Sequence, residues 1–304
     1  MLGTRLVMGF AMAGAILLVL WLDERFAPWF PIWFVLATVV LWSSALELVG
    51  LLNATGARAS SNAVLGGILA LLFANWAPHV SHALQTSDRL AGRLPYDPLA
   101  PVSVLGWPLL VFVGVVMATF LAQGVQFQRP GATLTTIAGT VLALTYVGLL
   151  GTFIVQLRWF DGPYHGIPPL VFLIATAKGA DTGAYTFGRI AGRRKLWPRL
   201  SPNKTVEGAV GGMFSGVAAA LIVAAVARDL VKIPTLGWAT AAGFGLVVGF
   251  SAQLGDLMES MIKRDCSRKD ASAAVPGFGG VLDVLDSLLF AAPIAFAYWI
   301  WLGP

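Results

Sequence analysis

Long, nearly uninterrupted apolar runs dominate this chain. Each is about 20 residues, the length an α-helix needs to cross a hydrocarbon core of about 30 Å. Nine are predicted, near residues 6–22, 30–51, 63–84, 101–122, 133–155, 167–188, 208–227, 236–256 and 284–302. Barrel strands would be shorter and would alternate apolar with polar residues, so the runs specify helices. Of 304 residues, 57% are hydrophobic and 12% charged, against about 25% charged in soluble domains. The expected fold class is all-α, a polytopic integral membrane protein with linkers too short for a soluble domain. A single cysteine, Cys266, excludes an internal disulfide.

The first run follows a short basic start, as a signal peptide would. It ends in Trp21-Leu22-Asp23-Glu24-Arg25 instead of a small-x-small cleavage site, and is read as a retained span. Asn75, Pro78, His79 and His82 interrupt the third run. Loop lysines and arginines set orientation. With the N-terminus and even-numbered loops in the cytoplasm, that side carries thirteen of them and the other side six. Loops 189–207 and 257–283 then face the cytoplasm of an inner-membrane protein, and nine crossings put the C-terminus outside. Residues 1–160 keep almost all their charges in loops and read as a membrane scaffold. Residues 161–304 admit ionisable groups to helix ends and read as the region that carries function.

Three constellations stand out. The first is Asp256-x-x-Glu259-Ser260-x-x-Lys263-Arg264, whose spacing puts Asp256, Glu259, Ser260 and Lys263 on one helical face. It is either a capped helix end of neutralising pairs or a polar stripe facing a cleft. The second is Asp283-x-x-Asp286-Ser287 behind Pro276-Gly277-Phe278-Gly279-Gly280. Carboxylates one turn apart suit a hard cation such as Mg²⁺, and glycine backbone ahead of them can approach a phosphate. N-capping by Asp283 is the structural alternative, and it leaves Asp286 unexplained. The third runs from Lys178 and Asp181-Thr182-Gly183-Ala184-Tyr185 to Ser201-Pro202-Asn203-Lys204-Thr205-Val206-Glu207-Gly208. An ionisable pair inside an apolar helix is a functional hypothesis by default. Lys204, just ahead of a helix N-terminus, is placed to hold an anion, whereas Arg193, Arg194 and Arg199 suffice as topology signals.

Other features read structurally. Gly208, Gly212 and Gly216 recur every four residues and let a helix pack tightly, within the chain or in a homodimer. His79, His82 and His165 lie on or near the outer side without enough partners for zinc. Cys266 stands beside cations that would lower its pKa, but no base pairs with it.

The run Ser260-x-x-Lys263-Arg264-x4-Lys269-Asp270, followed by Pro276-Gly277-x-Gly279-Gly280-x-x-Asp283-x-x-Asp286, resembles the signature of phosphatidate cytidylyltransferases, also called CDP-diacylglycerol synthases. The Asp181 and Lys204 stretches are similar to that family's other recurring segment. The likeness covers roughly 178–290. It implies that CTP and phosphatidic acid give CDP-diacylglycerol and pyrophosphate, with the bilayer and no nucleic acid as partner. It implies Mg²⁺ on Asp256, Asp283 and Asp286, with Asp181 contributing and a second metal or monovalent cation left open. Lys204, Lys263, Arg264, Lys269, Gly279 and Gly280 would hold phosphates, with Glu259, Ser260 and Ser287 in support. Asp256, Lys263, Asp283 and Asp286 would be the catalytic set. Two positions depart from the pattern: Phe278 where the family usually has histidine, and Val284 where it usually has arginine. The alternatives are transfer to an ether-lipid or polyprenyl phosphate, an ion-coupled transporter and an inactive scaffold.

Overall fold

The computed structural model describes residues 2–85, 105–128, 130–160, 166–275, 277 and 279–303. Among these residues nine helical stretches match the nine apolar runs. They are α1 (Leu2–Asp23), α2 (Pro31–Ala54), α3 (Ser61–Gln85), α4 (Gly106–Val125), α5 (Thr133–Trp159), α6 (Ile167–Ala191), α7 (Val206–Val231), α8 (Trp238–Asp265) and α9 (Val281–Leu302). Seven are long and apolar enough to span a membrane; α1 and α6 fall outside that set. The protein is an all-α integral membrane protein. Beyond what was expected, loop 189–207 folds into an antiparallel hairpin, β1 (Lys195–Trp197) and β2 (Ser201–Thr205), with Lys195 opposite Thr205 and Trp197 opposite Ser201.

The chain divides into two compact units. One holds residues 1–156 and 270–284, the other 157–269 and 285–304. In the first, Leu41, Leu48 and Leu52 of α2, Val64, Ile68 and Leu71 of α3, and Leu144 and Val147 of α5 are buried. Their helices meet where a glycine admits a leucine: a Cβ on Gly148 would lie 2.8 Å from Leu71, and one on Gly151 would lie 2.7 Å from Leu41. Asp23, fully buried, accepts from the Ile32 and Trp33 amides (2.8 and 3.2 Å) and so caps α2. The polar residues that interrupt the third run turn inward. Asn75 Nδ2 reaches Thr152 Oγ1 (3.3 Å), Gln156 Nε2 donates to Asn75 Oδ1 (2.7 Å), and Gln156 Oε1 lies 3.2 Å from His79 Nε2. His79 is therefore buried among these groups. The His82 side chain and His165 lie outside the described residues.

In the second unit α6, α7 and α8 approach almost backbone to backbone. A Cβ on Gly208 would come 2.7 Å from the Ala184 carbonyl oxygen, one on Gly212 2.8 Å from that of Ala180, and one on Gly216 3.1 Å from that of Gly245. The glycine repeat is thus spent on internal packing. Phe172, Phe244, Tyr298 and Trp299 stack edge-on beside it, with ring centroids 5.4–6.4 Å apart in three of the pairs. Arg158, expected in an outer loop, is fully buried.

Candidate active site

Helix α8 has 28 residues, about 42 Å at 1.5 Å per residue. It therefore outruns a hydrocarbon core of about 30 Å, and its last turns carry the acids and bases predicted for one face. The hairpin straps onto these turns. Lys204 Nζ lies 2.7 Å from Asp256 Oδ2, and Arg264 Nε donates to the Leu200 carbonyl (3.4 Å). The hairpin is held in turn by Glu207, whose carboxylate accepts from the Arg193 amide (2.9 Å) and the Arg194 amide (3.1 Å). Thr205 Oγ1 caps α7 by accepting from Gly208 N–H (3.1 Å).

Helices α6 and α9 supply the rest. Lys178 Nζ donates to Ser287 Oγ (2.8 Å) and lies 3.3 Å from Asp181 Oδ2, and Ser287 Oγ donates to Asp181 Oδ2 (3.0 Å). Asp286 is buried and feels the charges of Lys178, Asp256 and Asp181. Its Oδ1 accepts from the Ser287 amide. The approach of α8 to α9 at this level requires Gly255, because a Cβ there would stand 2.6 Å from the Asp286 carbonyl oxygen. Asp181, Asp256, Asp286, Lys178 and Lys204 thus form one electrostatic neighbourhood.

Other predicted residues are placed differently. Lys263 pairs with Glu259 one turn earlier, and both are buried with Ser260. The neutralising-pair reading therefore describes this turn, which makes Lys263 less available to a phosphate than expected. Arg264 and Lys269 are exposed, and Arg264 Nη1 also donates to the Arg268 carbonyl (3.2 Å). Asp283 Oδ2 accepts from the amides of Gly280 (2.6 Å) and Ala271 (2.9 Å), both ahead of α9, so through these bonds it ties the preceding loop and does not cap the first-turn amides. Gly279, at φ +106°, makes room for that carboxylate, since its Cβ would fall 2.6 Å from Asp283 Oδ2. Val284 is half-buried on α9, and Phe278 lies outside the described residues. Cys266 departs from expectation. Burial, and then the charge of Asp265, push its thiol up, so the nearby cations do not activate it.

Two further carboxylates and one lysine have tasks that the sequence motifs do not reveal. Glu47 of α2 accepts from Ser272 Oγ (2.7 Å) and from the amides of Val281 (3.0 Å) and Leu282 (2.8 Å). The signal was present: a lone carboxylate inside the second apolar run. Glu207, within the recognised segment, was given no task. Lys178 was noted only as the partner of Asp181.

Among the described residues no three acidic, imidazole or thiol groups converge closely enough to form a metal site by themselves. The oxygen donors around Asp256 and Asp286 nevertheless fit Mg²⁺, which takes one or two carboxylates and completes its shell with water and substrate phosphates. Three carboxylates stand beside two ammonium groups in this neighbourhood.

The sequence matches the model of the Cytidylyltransferase family over residues 3–302. It is 38% identical over 155 residues to a phosphatidate cytidylyltransferase of Bacillus subtilis, covering 51% of this chain and 55% of that protein. A phosphatidate cytidylyltransferase of Staphylococcus saprophyticus is 37% identical over 154 residues, with the same coverage. The uncharacterized protein YnbB of Escherichia coli is 40% identical over 129 residues, which is 42% of this chain and 41% of that protein. The chain thus spans about half the length of the curated relatives it matches.

Proposed function

The chain belongs to the cytidylyltransferase family, and from that premise we propose that it transfers the cytidylyl group of CTP to phosphatidic acid, giving CDP-diacylglycerol and pyrophosphate for phospholipid synthesis. What supports this reading most is the meeting of Asp181 and Lys178 on α6, Lys204 on the hairpin, Asp256 on α8 and Asp286 on α9. An apolar chain of this kind holds such a mixture of acids and bases only for a task. Phosphoryl transfer asks mainly for positioning and for charge neutralisation on phosphate oxygens.

In the proposed reaction a phosphate oxygen of the lipid attacks the α-phosphorus of CTP. The new P–O bond forms as the bond to the bridging oxygen breaks, and pyrophosphate leaves with that electron pair. The lipid phosphate is already anionic at neutral pH, so the chain need not supply a general base. Lys204 exchanges its contact with Asp256 for one with a phosphate, and exposed Arg264 and Lys269 draw in the triphosphate. Lys178, fixed by Asp181 and Ser287, offers a further ammonium group. Asp256 and Asp286 would hold Mg²⁺, which would neutralise the developing charge on the phosphate oxygens. Lys263 and Glu259 keep the end of α8 in shape, and Asp283 secures the first turn of α9. The helices of residues 1–160 act as scaffold. The protein resides in the inner membrane with its site and N-terminus in the cytoplasm. A homodimer would have to use a surface other than the glycine stripe.

The test is purified protein in detergent with labelled CTP, Mg²⁺ and phosphatidic acid. Equal amounts of CDP-lipid and pyrophosphate are expected. Turnover only with an ether-lipid or polyprenyl phosphate would reassign the acceptor. No turnover with any lipid phosphate would overturn the reading in favour of a transporter or scaffold.

A further inference from the structure

Helix α9 begins at Val281, and its first amides have no partner within the helix. Two carboxylates serve its start. Asp283 takes the amide of Gly280, just ahead of the helix, and that of Ala271 in the preceding loop. Glu47, more than 200 residues earlier in sequence, takes those of Val281 and Leu282 and also the hydroxyl of Ser272. A carboxylate at a helix N-terminus meets both the orphan amides and the positive end of the helix dipole. Gly280 belongs to the same device, since a Cβ there would collide with the Glu47 carboxylate.

We infer that Glu47 is a positioning residue for the candidate active site: it caps α9 from another helix and thereby sets the height and rotation of the helix that carries Asp286 and Ser287. This rests on the proposed reaction, in which Asp286 serves the chemistry. Asp286 lies five residues beyond Val281 on one continuous helix, so a shift of the first turn moves its carboxylate. Ser272 ties the loop ahead of α9 to the same oxygen that receives the Val281 amide, so the loop and helix are held together. The α2 acid then has a task that packing alone does not require.

The experiment compares Glu47→Gln, Glu47→Ala, Gly280→Ala and the Glu47→Ala/Gly280→Ala double variant in detergent. Turnover with CTP and phosphatidic acid, thermal unfolding, and hydrogen exchange at Val281 and Leu282 are followed together. A misplaced reacting group costs about 100-fold, so Glu47→Ala is expected to lower kcat by that order with little change in KM for CTP. Glu47→Gln keeps one acceptor oxygen and should recover about tenfold of the loss. Gly280→Ala displaces the same carboxylate, so the double variant should be no worse than Glu47→Ala alone. Exchange at Val281 and Leu282 should accelerate in Glu47→Ala but not at Ser287. Additive losses in the double variant, or a kcat that falls only in proportion to folded protein, would overturn the inference. Unchanged exchange at both amides would overturn it whatever the activity. Conversely, a wild-type protein that turns over no lipid phosphate but shows the exchange effect would sink the reaction and leave the cap standing.

Discussion

Two polar clusters among the described residues are built from different chemistry, one neutral and one ionic. The cluster on α3 and α5 is neutral: Asn75, Thr152, Gln156 and His79 offer amide, hydroxyl and imidazole groups that meet one another. Nothing in it asks for an outside ligand. The cluster on α6, α8, α9 and the hairpin is ionic, with three carboxylates beside two ammonium groups. Glycine use differs in parallel. Gly148 and Gly151 receive leucine side chains, which can shift, whereas Gly208, Gly212 and Gly216 face carbonyl oxygens, which cannot. The ionic cluster therefore stands on the stiffer platform, as a site that must hold its geometry requires.

The largest expected effect lies in the ionic cluster. Asp286→Ala should lower turnover by about 1,000-fold, while circular dichroism and detergent gel filtration remain those of the folded protein. Near-normal rates would remove the proposed metal site. Lys204→Ala should cost about 10- to 100-fold in kcat/KM, the weight of a charge-assisted contact. A larger loss in KM than in kcat would place that contact on CTP already in the ground state.

Packing comes next. Gly212→Ala forces a methyl against the Ala180 carbonyl oxygen and should cost about 2 kcal/mol, whereas Gly151→Ala needs only Leu41 to give and should cost about 1 kcal/mol or less. Thermal unfolding of the two variants side by side checks the contrast; equal costs would break it. Gln156→Leu should destabilise by about 1 kcal/mol by removing the donor to Asn75 Oδ1 and a contact of His79, yet leave turnover of the folded fraction unchanged. The smallest effect belongs to Cys266. Its raised pKa keeps it a thiol at neutral pH, and the thiolate is the nucleophile, so maleimide labelling should be slow near pH 7 and accelerate only in alkali. Cys266→Ser should leave turnover unchanged, and rapid labelling at neutral pH would refute the burial argument.

Much of this was legible beforehand because each signal was local. Twenty-residue apolar runs located the helices, and the four-residue glycine repeat marked a packing face. Acids and bases clustered between residues 178 and 290 marked the region of the site. Glu47 was overlooked because its meaning depends on a loop and helix start near residue 280. For Lys263 the spacing allows either a neutralising pair or a polar stripe facing a cleft, and the structure shows the pair with Glu259. Asp283 offers two readings in the sequence, and its bonds to Gly280 and Ala271 join residues ahead of the helix that no spacing along α9 would reveal.

By itself the sequence determined the solvent this protein lives in, the number and place of its helices, and the residue types brought to its functional region. Those properties follow from hydrophobicity and period, which are written within 20 residues. Tertiary structure alone decided which charges are spent on one another and which remain to meet a ligand. Spacing along a helix allows pairs such as Lys178 with Asp181, but the meeting of Lys204 with Asp256 turns on a distance of 2.7 Å between groups far apart in the chain.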